Sequence, residues 1–86
     1  MIDSYVKLPI PIQAVQWVND DQESYFKLVE LGAVPHIDIE SDGTLYIKTP
    51  EGRMKCLVGS YVIKGVRGEF YPCAEDVFLE TYEKVE

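Results

Sequence analysis

The chain has 86 residues, 47% of them hydrophobic and ten of them aromatic, which fits one domain over residues 1–86 with a modest core. Its formal net charge of −7 argues against a role on long nucleic acid, whose phosphates repel an acidic protein. No apolar run reaches the roughly 18 residues that cross a bilayer, and the N-terminus lacks the basic segment and apolar core of a signal peptide, so no membrane partner and a cytoplasmic location are expected.

Pro9 and Pro11 bar a helix in the first eleven residues, and Ile12 to Val18 then alternates as a first strand. Asp20 with Glu23 has the spacing of a capping box. Tyr25, Phe26, Leu28, Val29 and Leu31 keep helical period up to Gly32, which predicts a helix over 21–31. Beyond Gly32 the period falls to two: Pro35, Ile37 and Ile39 alternate with polar residues, a Ser41-Asp42-Gly43-Thr44 turn follows, and Leu45 and Ile47 resume. Pro50-Glu51-Gly52 forms the next turn, and Met54, Cys56 and Val58 then share a side opposite Arg53 and Lys55. Gly59 breaks the pattern before a hairpin whose turn lies between Gly65 and Gly68. Residues 74–81 read as a short helix with Glu75 and Asp76 in its first turn, and 82–85 as an edge strand. The expected order is β-α-β-β-β-β-β-α-β, an α+β fold with a small, mainly antiparallel sheet, one longer helix and one short one.

Charge is segregated along the chain: residues 1–47, 48–68 and 69–86 carry −6, +4 and −5. Within the basic middle, Lys48, Arg53, Lys55 and Lys64 alternate against Leu45, Ile47, Met54, Cys56, Tyr61, Ile63 and Phe70. On one shared sheet this makes an apolar face, packed with Val29 and Phe78 from the helices, and a cationic strip that includes Tyr46 and Tyr71. The strip suits a small nucleotide-type anion, with Lys48, Arg53, Lys55, Lys64 and Arg67 as cations and Tyr71 or Tyr46 stacking a base. The competing reading is a solvated face whose lysines keep the sheet edge soluble.

Catalytic chemistry is not signalled. His36 is the single histidine and has no sequence-local partner, Cys56 and Cys73 lack metal-site or redox spacing, and no phosphate loop, GxSxG or HExxH occurs. Cys73 falls at a strand-to-helix junction, where a helix N-terminus can activate a thiol, but a small packed residue is the commoner role there and no partner base is visible in the sequence. No catalytic residue, metal or cofactor is expected. Ten aromatics on so short a chain, with Tyr5, Tyr25, Tyr46 and Tyr82 given no inward place, predict a homo-oligomer.

The stretch Gly59-Ser60-Tyr61-Val62-Ile63-Lys64-Gly65-Val66-Arg67-Gly68-Glu69-Phe70-Tyr71-Pro72-Cys73, continued by Asp76, Val77, Phe78, Thr81, Tyr82 and Glu83, resembles a family of small bacteriophage and prophage proteins of mostly unassigned function. They carry a run like G-D-Y-I-I-K-G-V-x-G-E-F-Y-P-C-K-P-D-I-F-x-x-T-Y-E, and Gln13-Ala14-Val15-Gln16-Trp17 is a fainter echo. Here Ser60 replaces the family's aspartate, which removes a carboxylate beside the hairpin, and Ala74-Glu75 replaces its Lys-Pro, which puts an acid where the family has a cation at the helix start. The resemblance implies a phage origin and action in the host bacterial cytoplasm, including against defence systems. The resulting expectation is a non-enzymatic binding protein that sequesters a nucleotide-derived signal, as phage sponge proteins do. The alternatives are an acidic inhibitor, nucleic-acid mimics included, that binds a host defence protein, and a phage structural or assembly component.

Overall fold

The computed structural model describes residues 2–18 and 22–85. Asp20 and Asp21, the expected cap and first residue of the long helix, lie outside them. The elements run β1 (Gln13–Gln16), α1 (Gln22–Leu31), a 3-10 turn (Val34–His36), β2 (Ile37–Ile39), β3 (Leu45–Thr49), β4 (Gly52–Cys56), β5 (Tyr61–Lys64), β6 (Phe70–Cys73) and α2 (Glu75–Thr81). This is an α+β fold in which every strand pairing is antiparallel.

Local chemistry explains each element. In α1 the stripe Ser24, Leu28 and Leu31 is buried at helical spacing. Gly32, at φ +84°, stops the helix, donating its N–H to Val29 O at 3.0 Å while Ala33 N–H reaches Leu28 O at 3.0 Å. Asp42 accepts the Thr44 N–H at 3.0 Å to shape the β2–β3 turn, and the Thr49 hydroxyl ties the β3–β4 turn by donating to Gly52 O at 2.7 Å.

Two expectations about the architecture are corrected. The strands do not share one sheet: β1-β5-β6 and β2-β3-β4 are separate three-stranded sheets. Nor does the segment after α2 return as an edge strand, since 82–85 pair with no strand. Instead Tyr82 caps an aromatic row, its ring 4.9 Å from Phe78, which stacks on Tyr61 at 3.8 Å, with the Lys7 ammonium 3.9 Å above the Tyr82 ring.

The main core brings together Trp17, Leu28, Leu31, Ala33, Ile37, Leu45, Ile47, Cys56, Val62 and Phe70, with Val15 and Ile39 packed at its margin. The expected core set is therefore revised. Cys56, Ile63 and Phe70 are buried, but Met54 is 43% and Val29 49% exposed, while Tyr61 and Phe78 are half-buried in the aromatic row. The register Lys64↔Phe70 and Ile63↔Tyr71 puts Phe70 on the Val62 side of β5 and Ile63 on the other. The cause is the hairpin loop. Gly65 N–H bonds Glu69 O at 2.7 Å around a three-residue tip in which Gly68 takes φ +82°, so an odd number of residues separates the strands.

Candidate functional site

The β2–β3–β4 register builds one polar face. Asp38 pairs with Tyr46 and Tyr46 with Lys55, while Lys48 pairs with Arg53, so period two turns all five to the side away from Ile37, Leu45, Ile47 and Cys56. The Arg53 guanidinium lies over the Tyr46 ring, 4.2 Å from its centroid, and binds both Asp38, at 3.6 Å, and Glu40. Its hydrogen bond to Glu40 favours the charged form, raising the arginine's pKa further. Lys48 also reaches Asp38, at 3.6 Å. Two of the three cations on this face are thus paired with carboxylates.

Lys55 differs. Among the described residues no carboxylate lies within ion-pair distance of it. It borders a cleft of about 260 Å³ lined also by Trp17, Asp42, Thr44, Leu57 and Val58. Asp42 ionises more readily than an ordinary aspartate, chiefly because Thr44 hydrogen-bonds it and in smaller part through the field of Lys55.

The remaining residues of the expected strip lie elsewhere. Lys64 is half-buried at the end of β5, opposite Phe70, Arg67 is exposed at the hairpin tip, and Tyr71 is half-buried on the opposite face of that sheet from Lys64. Burial, with a hydrogen bond that the Tyr71 hydroxyl donates to Tyr82, pushes the Tyr71 hydroxyl up to about 12. The structure therefore brings Lys48, Arg53 and Lys55 together with Tyr46 and separates them from Lys64, Arg67 and Tyr71. This corrects the reading of six residues on one strip, because pairing of β5 with β1 leaves β4 as an edge of the other sheet.

Sequence reasoning passed over Trp17. Its side chain is fully buried, its backbone extends the β1–β5 ladder through Trp17 N to Ser60 O (2.8 Å) and Gly59 N to Trp17 O (2.6 Å), and its indole Nε1 has no hydrogen-bond partner among the described residues. An unpaired buried donor costs about 1–3 kcal/mol. The one signal in the sequence was a large donor-bearing ring at the end of the first strand.

The other chemistry-bearing groups are accounted for by packing. The His36 ring stacks on Phe70 at a centroid distance of 5.1 Å. Both cysteines are free, Cys56 buried and Cys73 half-buried, and burial pushes the Cys56 thiol up to about 11. Among the described residues no group of His, Cys, Asp and Glu is arranged to hold a metal ion, and no helix is long and apolar enough to cross a membrane. A second, apolar hollow of about 190 Å³ lies between α1 and β2, lined by Tyr25, Val34, Ile37 and Ile39. Beside it α1 exposes Phe26 and Val29. Comparison with known proteins finds no matching family model, curated protein or solved structure.

Proposed function

We propose that this chain is a non-enzymatic binding protein of the small phage type that its β5–β6 hairpin resembles. It acts in the bacterial cytoplasm by sequestering a nucleotide-derived signal of a defence system, held at the Lys55 end of the β2–β3–β4 face. One observation supports this location above the others: Lys55 is a cation without an ion-pair partner among the described residues, beside an aromatic ring and at the mouth of a cleft. A phosphate there gains a charge-assisted hydrogen bond without first breaking an existing pair. Arg53 is less available, since an anion has to compete with Asp38 and Glu40 for it.

Calorimetry with mononucleotides, dinucleotides and cyclic nucleotides tests the proposal. Binding that Lys55→Ala weakens about tenfold or more, with the melting temperature unchanged, supports it. Absence of heat from every member of that panel rejects it.

A second reading is favoured by α1. Tyr25, Phe26 and Val29 form an exposed apolar band, at 38%, 61% and 49% exposure, and Glu23 and Glu30 run alongside. An apolar band with an acidic border is the chemistry of a protein-docking surface. On this reading the chain inhibits a host defence protein directly. Phe26→Glu then abolishes protection of the phage while nucleotide binding is untouched.

A further inference from the structure

The β2–β3–β4 sheet has two outer edges, and they differ. Arg53 and Lys55 guard the one at β4, as charges commonly do on an exposed strand. The edge at β2 carries one charge, Asp38, between Ile37 and Ile39, and it borders the hollow of about 190 Å³ that these two isoleucines line with Tyr25 and Val34. Its backbone points outward. Glu40 N–H donates to Thr44 O at 2.9 Å, so ladder alternation makes Asp38↔Tyr46 the next hydrogen-bonded pair and turns the N–H and C=O of Ile39, with the C=O of Ile37, away from β3. The Ile37 N–H is already used, donating to Val34 O. We propose that a second copy of this chain lays its N-terminal arm along this edge, with Val6-Lys7-Leu8 as a fourth, antiparallel strand, and that the exchange is reciprocal in a symmetric pair.

The two segments are complementary residue by residue. Antiparallel pairing sets Val6 against Ile39, Lys7 against Asp38 and Leu8 against Ile37, which is apolar, charged, apolar on both strands with opposite charges in the middle. Val6 and Leu8 then enter the hollow on the side of Ile37 and Ile39. Lys7 falls on the polar face beside the second copy's Asp38, whose own partners Lys48 and Arg53 each stand at 3.6 Å. The backbone matches too. Val6 exchanges both bonds with Ile39, whereas Leu8 gives its N–H to Ile37 O and keeps its C=O for the Ile10 N–H at 2.8 Å, a bond that Ile37 cannot return. Pro9, which has no N–H, ends the strand there.

Geometry and area select a second copy as the source of the arm. In its own chain the arm has no regular structure, Val6 and Leu8 are 90% and 70% exposed, and Lys7 rests on the ring and hydroxyl of Tyr82. That contact lies on the side of the β1–β5–β6 sheet away from the core into which α1 packs Leu28 and Leu31. The chain also exposes 6658 Å², against roughly 5,200 Å² for a compact monomer of 9.8 kDa. The excess of about 1,500 Å² exceeds the roughly 800 Å² that each partner buries in a stable complex.

Light scattering of the full chain at micromolar concentration should give the mass of two chains. Leu8→Asp, at a position exposed on the single chain, should raise the dissociation constant about tenfold or more and leave the circular dichroism of the fold unchanged. A variant carrying both Lys7→Cys and Asp38→Cys tests the pairing itself. Residues facing each other in a non-hydrogen-bonded pair lie about 4.5 Å apart at Cα, within reach of a disulfide, so mild oxidation should link two chains in a product that reductant splits and that neither single variant yields. A one-chain mass at every concentration, or a two-chain mass that Leu8→Asp leaves untouched, overturns the proposal. So does a bridge that closes within one chain, which would seat the arm on its own hollow.

Discussion

Ile63 on β5 lies across from Tyr71 on β6, which leaves Phe70 opposite Lys64 and on the far side of the same sheet. The β1–β5–β6 sheet is consequently buried on two sides by different partners. Val62 and Phe70 face the main core, and Tyr61 joins Phe78 and Tyr82 on the other side.

Phe70 belongs to the first of these layers and is 6% exposed. Phe70→Ala should lower stability by about 3–5 kcal/mol in urea unfolding, the usual cost of deleting a buried phenyl ring. Met54→Ala, at a position 43% exposed, should cost well under half as much. Equal losses at the two positions would contradict the register.

Glu40 restrains Arg53 on the outer face of the other sheet. Glu40→Gln should raise nucleotide affinity about threefold by releasing the guanidinium, while stability changes by less than about 1 kcal/mol, as expected for an exposed pair. Weaker binding in this variant would show that the carboxylate itself contacts the ligand.

The buried thiol of Cys56 gives the fold a signature in alkali. Its pKa rises from an ordinary value of 9.0 to about 11 on burial, so the folded chain keeps a proton that the unfolded chain releases. That contribution is complete below pH 9 and is lost as the pH climbs toward 11. Tyr71, raised from 10.0 to about 12, adds its own decline at higher pH. Between pH 9 and 10 the melting temperature should therefore fall in the parent and fall less steeply in Cys56→Ala.

Large apolar side chains remain uncovered on the single chain, among them Ile2, Tyr5, Val6 and Leu8 in the N-terminal arm and Phe26 on α1. Light scattering at micromolar concentration should give a mass above that of one chain. A variant carrying Tyr5→Ser and Phe26→Ser should shift toward one chain without losing its fold. A one-chain mass for the parent at every concentration would remove the expectation.

What could be read from the amino acids was what neighbours in sequence decide. Leu28 and Leu31 with the Gly32 stop define α1, and strict alternation from Leu45 to Cys56 correctly turns Lys48, Arg53 and Lys55 to one face. Parity across the β5–β6 hairpin was not legible, because it depends on whether the loop between Gly65 and Glu69 holds two residues or three. The division into two sheets was hidden for a different reason. Backbone donors and acceptors on β5 serve β1 or β4 equally well, and only long-range packing selects β1. The cleft needs residue 17, the 42–44 turn and the end of β4 in one place, a juxtaposition that no local pattern encodes.

The pairing of Gln16 with Tyr61 encloses α1 and the whole β2–β3–β4 sheet within a single long loop. Closing such a loop is entropically costly before its contacts form, whereas the β2–β3 and β3–β4 hairpins join residues close in sequence. The inner meander should thus assemble first and the outer sheet zip around it, late in the approach to the native state. In stopped-flow measurements Ile47→Val should chiefly slow refolding, and Val15→Ala should chiefly accelerate unfolding.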